Sequence, residues 1–183
     1  MTIRFHKRSE RELHRGFLIS LGEGVFVGPD GAEFSRDIVH HPGAVSVVPY
    51  EADGTVLLVR QYRAAVDREL LEIPAGKRDV HDEPPELTAH REMAEEVGRE
   101  ARRLDLLGTF YNSPGFCDEL SFTFLARDLT EVAHEAHSVE EEAMTIERHS
   151  LEDAIAMIAT GDIVDAKTMI GLVLARDLIA AGR

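Results

Sequence analysis

Between Gly76 and Gly98 the chain gathers Glu83, Glu92, Glu95 and Glu96 around one short helix-forming stretch, and no other feature so narrows what it can fold into. Glu92 and Glu96 are four residues apart and Glu92 and Glu95 three, so on an α-helix their side chains share a face. Like charges at that spacing cost a helix about 0.2–0.5 kcal/mol per pair. A cation between them reverses the sign, and an all-oxygen set suits magnesium or calcium. The helix has readable ends. Pro84 and Pro85 suit a first turn, Glu86 adds favourable charge there, and Gly98 suits the C-terminal stop. The spacing predicts a helix over 85–97, with Leu87, Met93 and Val97 as its apolar side, Ala94 as a point of close packing and the glutamates on the adjoining face. Arg91 stands four residues before Glu95 and reaches it across a turn, or reaches back toward Glu83, so it holds a carboxylate in place. Taken alone, such a run also reads as a solvated, charge-laced surface helix.

The segment ahead of the helix decides between these readings. Glu72-Ile73-Pro74-Ala75-Gly76 ends an apolar strand in a turn where backbone can approach a bound ion. The whole arrangement resembles the Nudix box: Gly, five residues, Glu, seven residues, Arg-Glu, a hydrophobic residue, any residue, Glu-Glu, any residue, Gly and a hydrophobic residue. Two departures stand out. Six residues separate Gly76 from Glu83, with Asp82 at the strict spacing, and Arg99 replaces the final hydrophobic residue. Neither removes a carboxylate, and the interval from Glu83 to Arg91 is intact, so the extra residue is expected to bulge the loop after Gly76.

Composition agrees with a single domain of ordinary size plus a small N-terminal appendage: 183 residues, 44% of them hydrophobic. Twenty Lys and Arg against 34 Asp and Glu leave a net charge of −14, which opposes nonspecific nucleic-acid binding. An anionic substrate therefore needs local help, from bound metal and from Arg60 and Arg63. The lone Cys117 excludes an intrachain disulfide, Met1 to Arg15 lack the apolar core of a signal peptide, and no apolar run matches a membrane span. A cytoplasmic location is the expectation.

Along the chain, Phe17–Ile19, Val25–Val27 and Phe34–Val39 read as short strands of an antiparallel meander, with Gly28-Pro-Asp-Gly31 as a hairpin turn. His40-His41-Pro42-Gly43 then punctuates the chain, which places a boundary near residue 42: a meander over 1–42 and a main domain over 43–183. Within the latter, 44–48, 55–61, 70–73, 104–111, 120–126 and 144–148 read as strands. Leu151–Ala159 and Ala166–Ala180 read as helices. Strands interleaved with helices argue an α/β fold. The resemblance adds the specific architecture, a Nudix-type α/β/α sandwich with a mixed sheet.

Pro114 stands sixteen residues beyond Gly98 in the loop Ser113-Pro114-Gly115, and this loop is similar to that of ADP-ribose pyrophosphatases, as are Leu71–Gly76 and the N-terminal meander. The resemblance implies hydrolysis of the diphosphate of ADP-ribose to AMP and ribose 5-phosphate. It implies Mg2+, with Mn2+ as the alternative, and a homodimer that exchanges or packs its N-terminal meanders and shares substrate pockets between subunits. By position it makes Glu92 and Glu96 bridging metal ligands, Glu95 and the Ala75 carbonyl further ligands, and Gly76, Glu83 and Arg91 supports. Arg63, Glu72 and Pro114 become substrate contacts, although Arg63 also reads as a surface salt bridge and Glu72 as a polar strand end. A general base is expected from a loop after the box, where Glu140-Glu141-Glu142 is the dense candidate. Glu142, at the firm end beside Met144, is favoured and Glu141 is the runner-up; a merely solvated loop is the plain alternative. Other nucleoside diphosphate sugars remain open as substrates, as does a non-enzymatic ADP-ribose sensor, although the sensor sits poorly with four intact carboxylates. His134 and His137 lie in an acidic stretch that reads as solvated, and Cys117 has no nearby catalytic partner, so it reads as a packing residue.

Overall fold

The computed structural model describes residues 4–133 and 143–182. The chain divides into two compact units, and the first joins Met1–Gly43 to Tyr111–Leu120. It is built on the antiparallel meander β1 (His6–Arg15), β2 (Ser20–Val27) and β3 (Glu33–His40), in that spatial order. Gly31, at φ 80°, closes the β2–β3 turn by donating its N–H to the Gly28 carbonyl at 3.0 Å, and the Asp30 carboxylate accepts the Ala32 N–H. The expected first strand is corrected. Phe17–Ile19 lies in the turn between β1 and β2, where Gly16 donates to the Ile19 carbonyl at 2.8 Å. The strand itself, β1, is exposed along its whole length and almost wholly polar, so it carries no period-2 apolar signal to read. Within the same unit the Val39 N–H donates to the Phe116 carbonyl at 2.7 Å and the Asp118 N–H to the Val39 carbonyl at 3.1 Å.

The second unit, Ala44–Phe110 with Ser121–Arg183, has the expected α/β order. It runs β4 (Ala44–Pro49), β5 (Thr55–Arg63), β6 (Arg68–Glu72), β7 (Ala75–Lys77), α1 (Pro85–Val97), β8 (Arg99–Tyr111), β9 (Leu120–Glu131), β10 (Thr145–Ser150), α2 (Leu151–Thr160) and α3 (Ala166–Ala180). One sheet has the order β7-β4-β9-β8 and is mixed, with β4 parallel to β9 and antiparallel to β7. The other, β10-β5-β6, is antiparallel. The short β7 was not anticipated, and β8 begins at Arg99 rather than Leu104. As an edge strand, β8 tolerates the charged residues Arg99, Glu100, Arg102 and Arg103 that mask it in the sequence.

Strand alternation explains the layering. Every residue of β4 is buried, because its two faces both meet helices, and such strands read as continuous apolar runs. Val45 and Val47, with Leu57 and Val59 of β5, pack with Ala89, Met93 and Val97 of α1. Val48, with Val56 and Leu58, packs with Leu151 and Ala154 of α2 and Leu172 and Ala175 of α3. Gly171 lets α3 approach closely: a Cβ there would stand 2.9 Å from Ile73 Cδ1 and 3.2 Å from Thr123 Cγ2. Among the described residues no helix is long and apolar enough to cross a membrane.

Candidate active site

The α1 helix carries the centre of the site. Pro85 occupies its first turn, and Gly98 ends it at φ 60°, ψ 40°, donating to the Ala94 carbonyl, the left-handed stop that glycine adopts without strain. Thr88, Ala89, Glu92, Met93, Glu96 and Val97 form its buried face. Leu87, expected on the apolar side, is 56% exposed, since the helix turns its Ala89–Met93–Val97 stripe inward instead. Two glutamates are therefore inside. Glu92 is 9% exposed and Glu96 4%, which rules out a solvated surface face, because a buried carboxylate needs compensating partners.

Those partners come from β7 and Arg91. Ala75 donates its backbone N–H to Glu96 Oε2 at 2.9 Å. Glu92 lies against Gly76 so closely that a Cβ would stand 1.8 Å from its carboxyl carbon, so only glycine leaves room for this carboxylate. Arg91 Nη1 bridges Glu92 Oε1 at 2.9 Å and Glu95 Oε2 at 3.1 Å, while its Nη2 lies 3.9 Å from both Asp79 and Glu83. Glu83 Oε2 accepts a 2.7 Å bond from Thr88 Oγ1. Burial pulls the Arg91 guanidinium down, yet Glu92, Glu95, Glu83 and Asp79 hold it above the ordinary arginine value. Four carboxylates thus face one guanidinium, with Glu96 beside them.

This surplus of carboxylate charge, with Glu92 and Glu96 buried, fits a divalent cation. The Gly76 cradle and the buried Arg91 Nε and Nη2, which lack hydrogen-bond partners among the described residues, mark an arrangement built for more than packing. Among the described residues no three His, Cys, Asp or Glu side chains already converge as a ligand set. Glu92 and Glu95 instead lean on Arg91, and Glu96 on the β7 backbone.

A second charged network lies in the same unit. Arg63 grips Glu72 in a fork, with Nε to Oε1 and Nη2 to Oε2 both 2.8 Å, and Glu72 is 1% exposed. Lys167 Nζ lies 3.4 Å from Glu72 Oε2 and 2.7 Å from Asp165 Oδ1. Asp165 caps α3 by accepting the Thr168 N–H, and Thr168 Oγ1 accepts the Ile73 N–H. The Glu72 hydrogen bonds hold the Arg63 guanidinium above its ordinary value against burial. Burial raises Asp165, but Lys167 and Thr168 outweigh it and leave this acid stronger than usual.

Of the residues singled out in the sequence, Ala75, Gly76, Glu83, Arg91, Glu92, Glu95 and Glu96 come together, and Arg63 and Glu72 engage each other. Pro114 belongs to the first unit, in a turn where Cys117 donates to the Ser113 carbonyl at 2.9 Å. There it lines a cavity of about 360 Å3 with Phe26, Arg36, Tyr111 and Phe116. Glu141, Glu142, His134 and His137 lie outside the described residues. Asp79, Thr88 and Lys167 were missed. An Asp two residues before a Lys and three before a Thr signals a helix cap, whereas nothing in the sequence ties Lys167 to Glu72.

The sequence profile of the NUDIX domain matches residues 40–170. The ADP-ribose pyrophosphatase of Bacillus subtilis is 40% identical over 140 residues, covering 76% of this chain and 75% of that protein. The ADP-ribose pyrophosphatase of Mycobacterium tuberculosis is 38% identical over 179 residues, covering 97% and 86%. A solved structure described as an ADP compounds hydrolase superposes with a TM-score of 0.86 at 20% identity, over 100% of this chain and 97% of the other, a likeness of fold.

Proposed function

The chain belongs to the Nudix family and is a pyrophosphatase of it, and from that premise we propose that it hydrolyses the diphosphate of ADP-ribose to AMP and ribose 5-phosphate with Mg2+, Mn2+ being the alternative ion. The observation that carries the reading is the burial of Glu92 and Glu96 around Arg91 and the Gly76 cradle. The ADP-ribose pyrophosphatases at 38% and 40% identity support the substrate.

In this reading water attacks one phosphorus of the diphosphate, the P–O bond to the bridging oxygen breaks, and one proton is released as the two monophosphates part. Glu92, Glu95, Glu96 and the Ala75 carbonyl would hold the cation, which when bound neutralises diphosphate oxygens and lowers the pKa of water. Arg91 keeps Glu92 and Glu95 in register through Nη1, and Thr88 keeps Glu83 beside Arg91. Gly76 leaves the space Glu92 needs. Arg63 is proposed to contact the substrate from its partly exposed side while the fork to Glu72 fixes its plane. Glu72 is likewise proposed to contact the substrate, and its fork orients Arg63. Pro114 is proposed to contact substrate from the aromatic cavity, which has room for a nucleobase. The base that takes the water proton is proposed to be Glu142, or Glu141 in its place.

We place the protein in the cytoplasm as a homodimer, acting on a nucleoside diphosphate sugar and on no nucleic acid, with residues 1–42 as the dimerising meander and 43–183 as the hydrolase domain. The test is a panel of nucleoside diphosphate sugars incubated with purified protein and Mg2+, with products identified by chromatography. ADP-ribose should be turned over with the highest kcat/KM and give AMP and ribose 5-phosphate. Preference for another nucleoside diphosphate sugar would replace the substrate assignment, and binding without turnover would replace the enzyme by a sensor.

A further inference from the structure

The loop between Gly76 and Glu83, one residue longer than the Nudix pattern, must deliver Glu83 to Arg91 despite its slack. Within it Asp82 takes φ 60°, a left-handed conformation that Asp tolerates better than most residues. Inside the loop the Glu83 N–H donates to the Val80 carbonyl at 3.2 Å. That bond cannot fix the loop by itself, because Val80 is exposed and moves with the same segment.

The tie to the body comes from Arg78. Its Nη2 donates to the Glu83 carbonyl at 3.0 Å, and its guanidinium lies over the Phe122 ring, 5.1 Å from the centroid. Phe122 belongs to β9, an interior strand of the mixed sheet. Among the described residues Arg78 Nε is buried without a hydrogen-bond partner, and the contact with the ring and the bond to the Glu83 carbonyl hold the group. Glu83 is then held at its carbonyl by Arg78 and at Oε2 by Thr88, with Arg91 Nη2 3.9 Å away.

We propose that Arg78 is a positioning residue that clamps the lengthened loop, referencing Glu83 and through it Arg91 to the sheet, so that the carboxylate cluster stands ready for its cation. The proposal rests on the reading of the cluster as a divalent-cation site. A planar guanidinium can stack and donate at once, and a lysine ammonium replaces the donor without the plane. A loop one residue shorter would hold Glu83 by chain length alone and would not need the clamp.

The experiment combines Arg78→Met, Arg78→Lys and deletion of Asp82, which restores the five-residue interval. Three readings are taken on each: Mn2+ affinity of the substrate-free protein by electron paramagnetic resonance, kcat and KM on the best substrate of the panel, and hydrogen exchange of the Glu83 amide. Partners behind metal ligands typically carry about 10- to 100-fold in affinity or activity. Arg78→Met should weaken Mn2+ binding or lower kcat by that factor, leave KM within about twofold and speed exchange at Glu83, with Arg78→Lys in between. In the Asp82-deleted protein the added cost of Arg78→Met should fall below about twofold. An equal cost in both loop lengths, or native Mn2+ affinity, kcat and exchange in Arg78→Met, would overturn the inference. If the deletion prevents folding, the Arg78→Lys gradation and the Glu83 exchange decide it. Glu92→Gln separates the two levels: native Mn2+ affinity there sinks the metal-site reading itself, whereas its loss with native affinity and kcat in Arg78→Met sinks only the clamp.

Discussion

Gly76→Ala tests the geometry of the site most directly, because one added carbon meets the side chain of Glu92, a proposed cation ligand. The new Cβ would stand 1.8 Å from the carboxyl carbon of Glu92 and 2.0 and 2.3 Å from its oxygens, where real Cβ contacts essentially never come under 3.0 Å. Glu92 must therefore retreat by more than about 1 Å, away from Arg91 Nη1 and from the position in which it would meet the cation. Misplacement by about 1 Å costs on the order of 100-fold in rate, about 2.7 kcal/mol of barrier. Stability should respond quite differently. The backbone of Gly76 is not in the left-handed region, so alanine fits the main chain and gains about 0.4–1 kcal/mol through the unfolded state. The displaced carboxylate, the end of a flexible side chain, offsets that gain. The melting temperature should stay within about 4 °C of wild type while kcat falls about 100-fold. Steady-state kinetics over a magnesium titration, paired with a thermal melt, measure both. A kcat above half of wild type would refute the cradle, and a rate loss accompanied by a collapse of the melt would reassign Gly76 to packing.

Glu92→Gln and Glu96→Gln should each lose most of the rate with little loss of stability, and chelator should abolish turnover; activity that persists in excess chelator removes the metal assignment. Glu142→Gln should lower kcat by roughly 10²- to 10⁴-fold with little change in KM, and more than half of wild-type kcat in both it and Glu141→Gln places the base elsewhere. His40 bridges Glu10 and Asp118, the latter at 2.5 Å, and these hydrogen bonds raise the imidazole above its usual 6.5. Its contribution to stability is then complete below pH 6.5 and lost as pH rises through the folded-state value. The melting temperature should decline over that range in wild type and stay flat in His40→Asn, and parallel curves would exclude the bridge as the cause. Light scattering at micromolar concentration should report a dimer; a fully active monomer contradicts an N-terminal exchange.

How much was legible in advance follows from the range of the forces involved. The α1 helix over 85–97 and α3 over 166–180 could be read from proline, glycine and apolar spacing, because caps and periodicity are local. The carboxylate set and Arg91 could be read from spacing along one helix, and the Nudix pattern added Gly76 and Ala75. β1 could not, since a strand with polar residues on both faces differs from a loop only in the hydrogen bonds it makes to β2, with partners as far along the chain as Val27 is from His6. The partners of Glu72 were equally hidden: Arg63 reaches it across the β5–β6 hairpin, and Lys167 arrives from α3, 95 residues on. The spacing of Glu92 and Glu96 established a shared face by itself, but not which way that face points. Only the packing of α1 on β4, β5 and β7 turned it inward, where a carboxylate must find a backbone N–H, a guanidinium or a metal ion, because the protein interior cannot solvate it as water does.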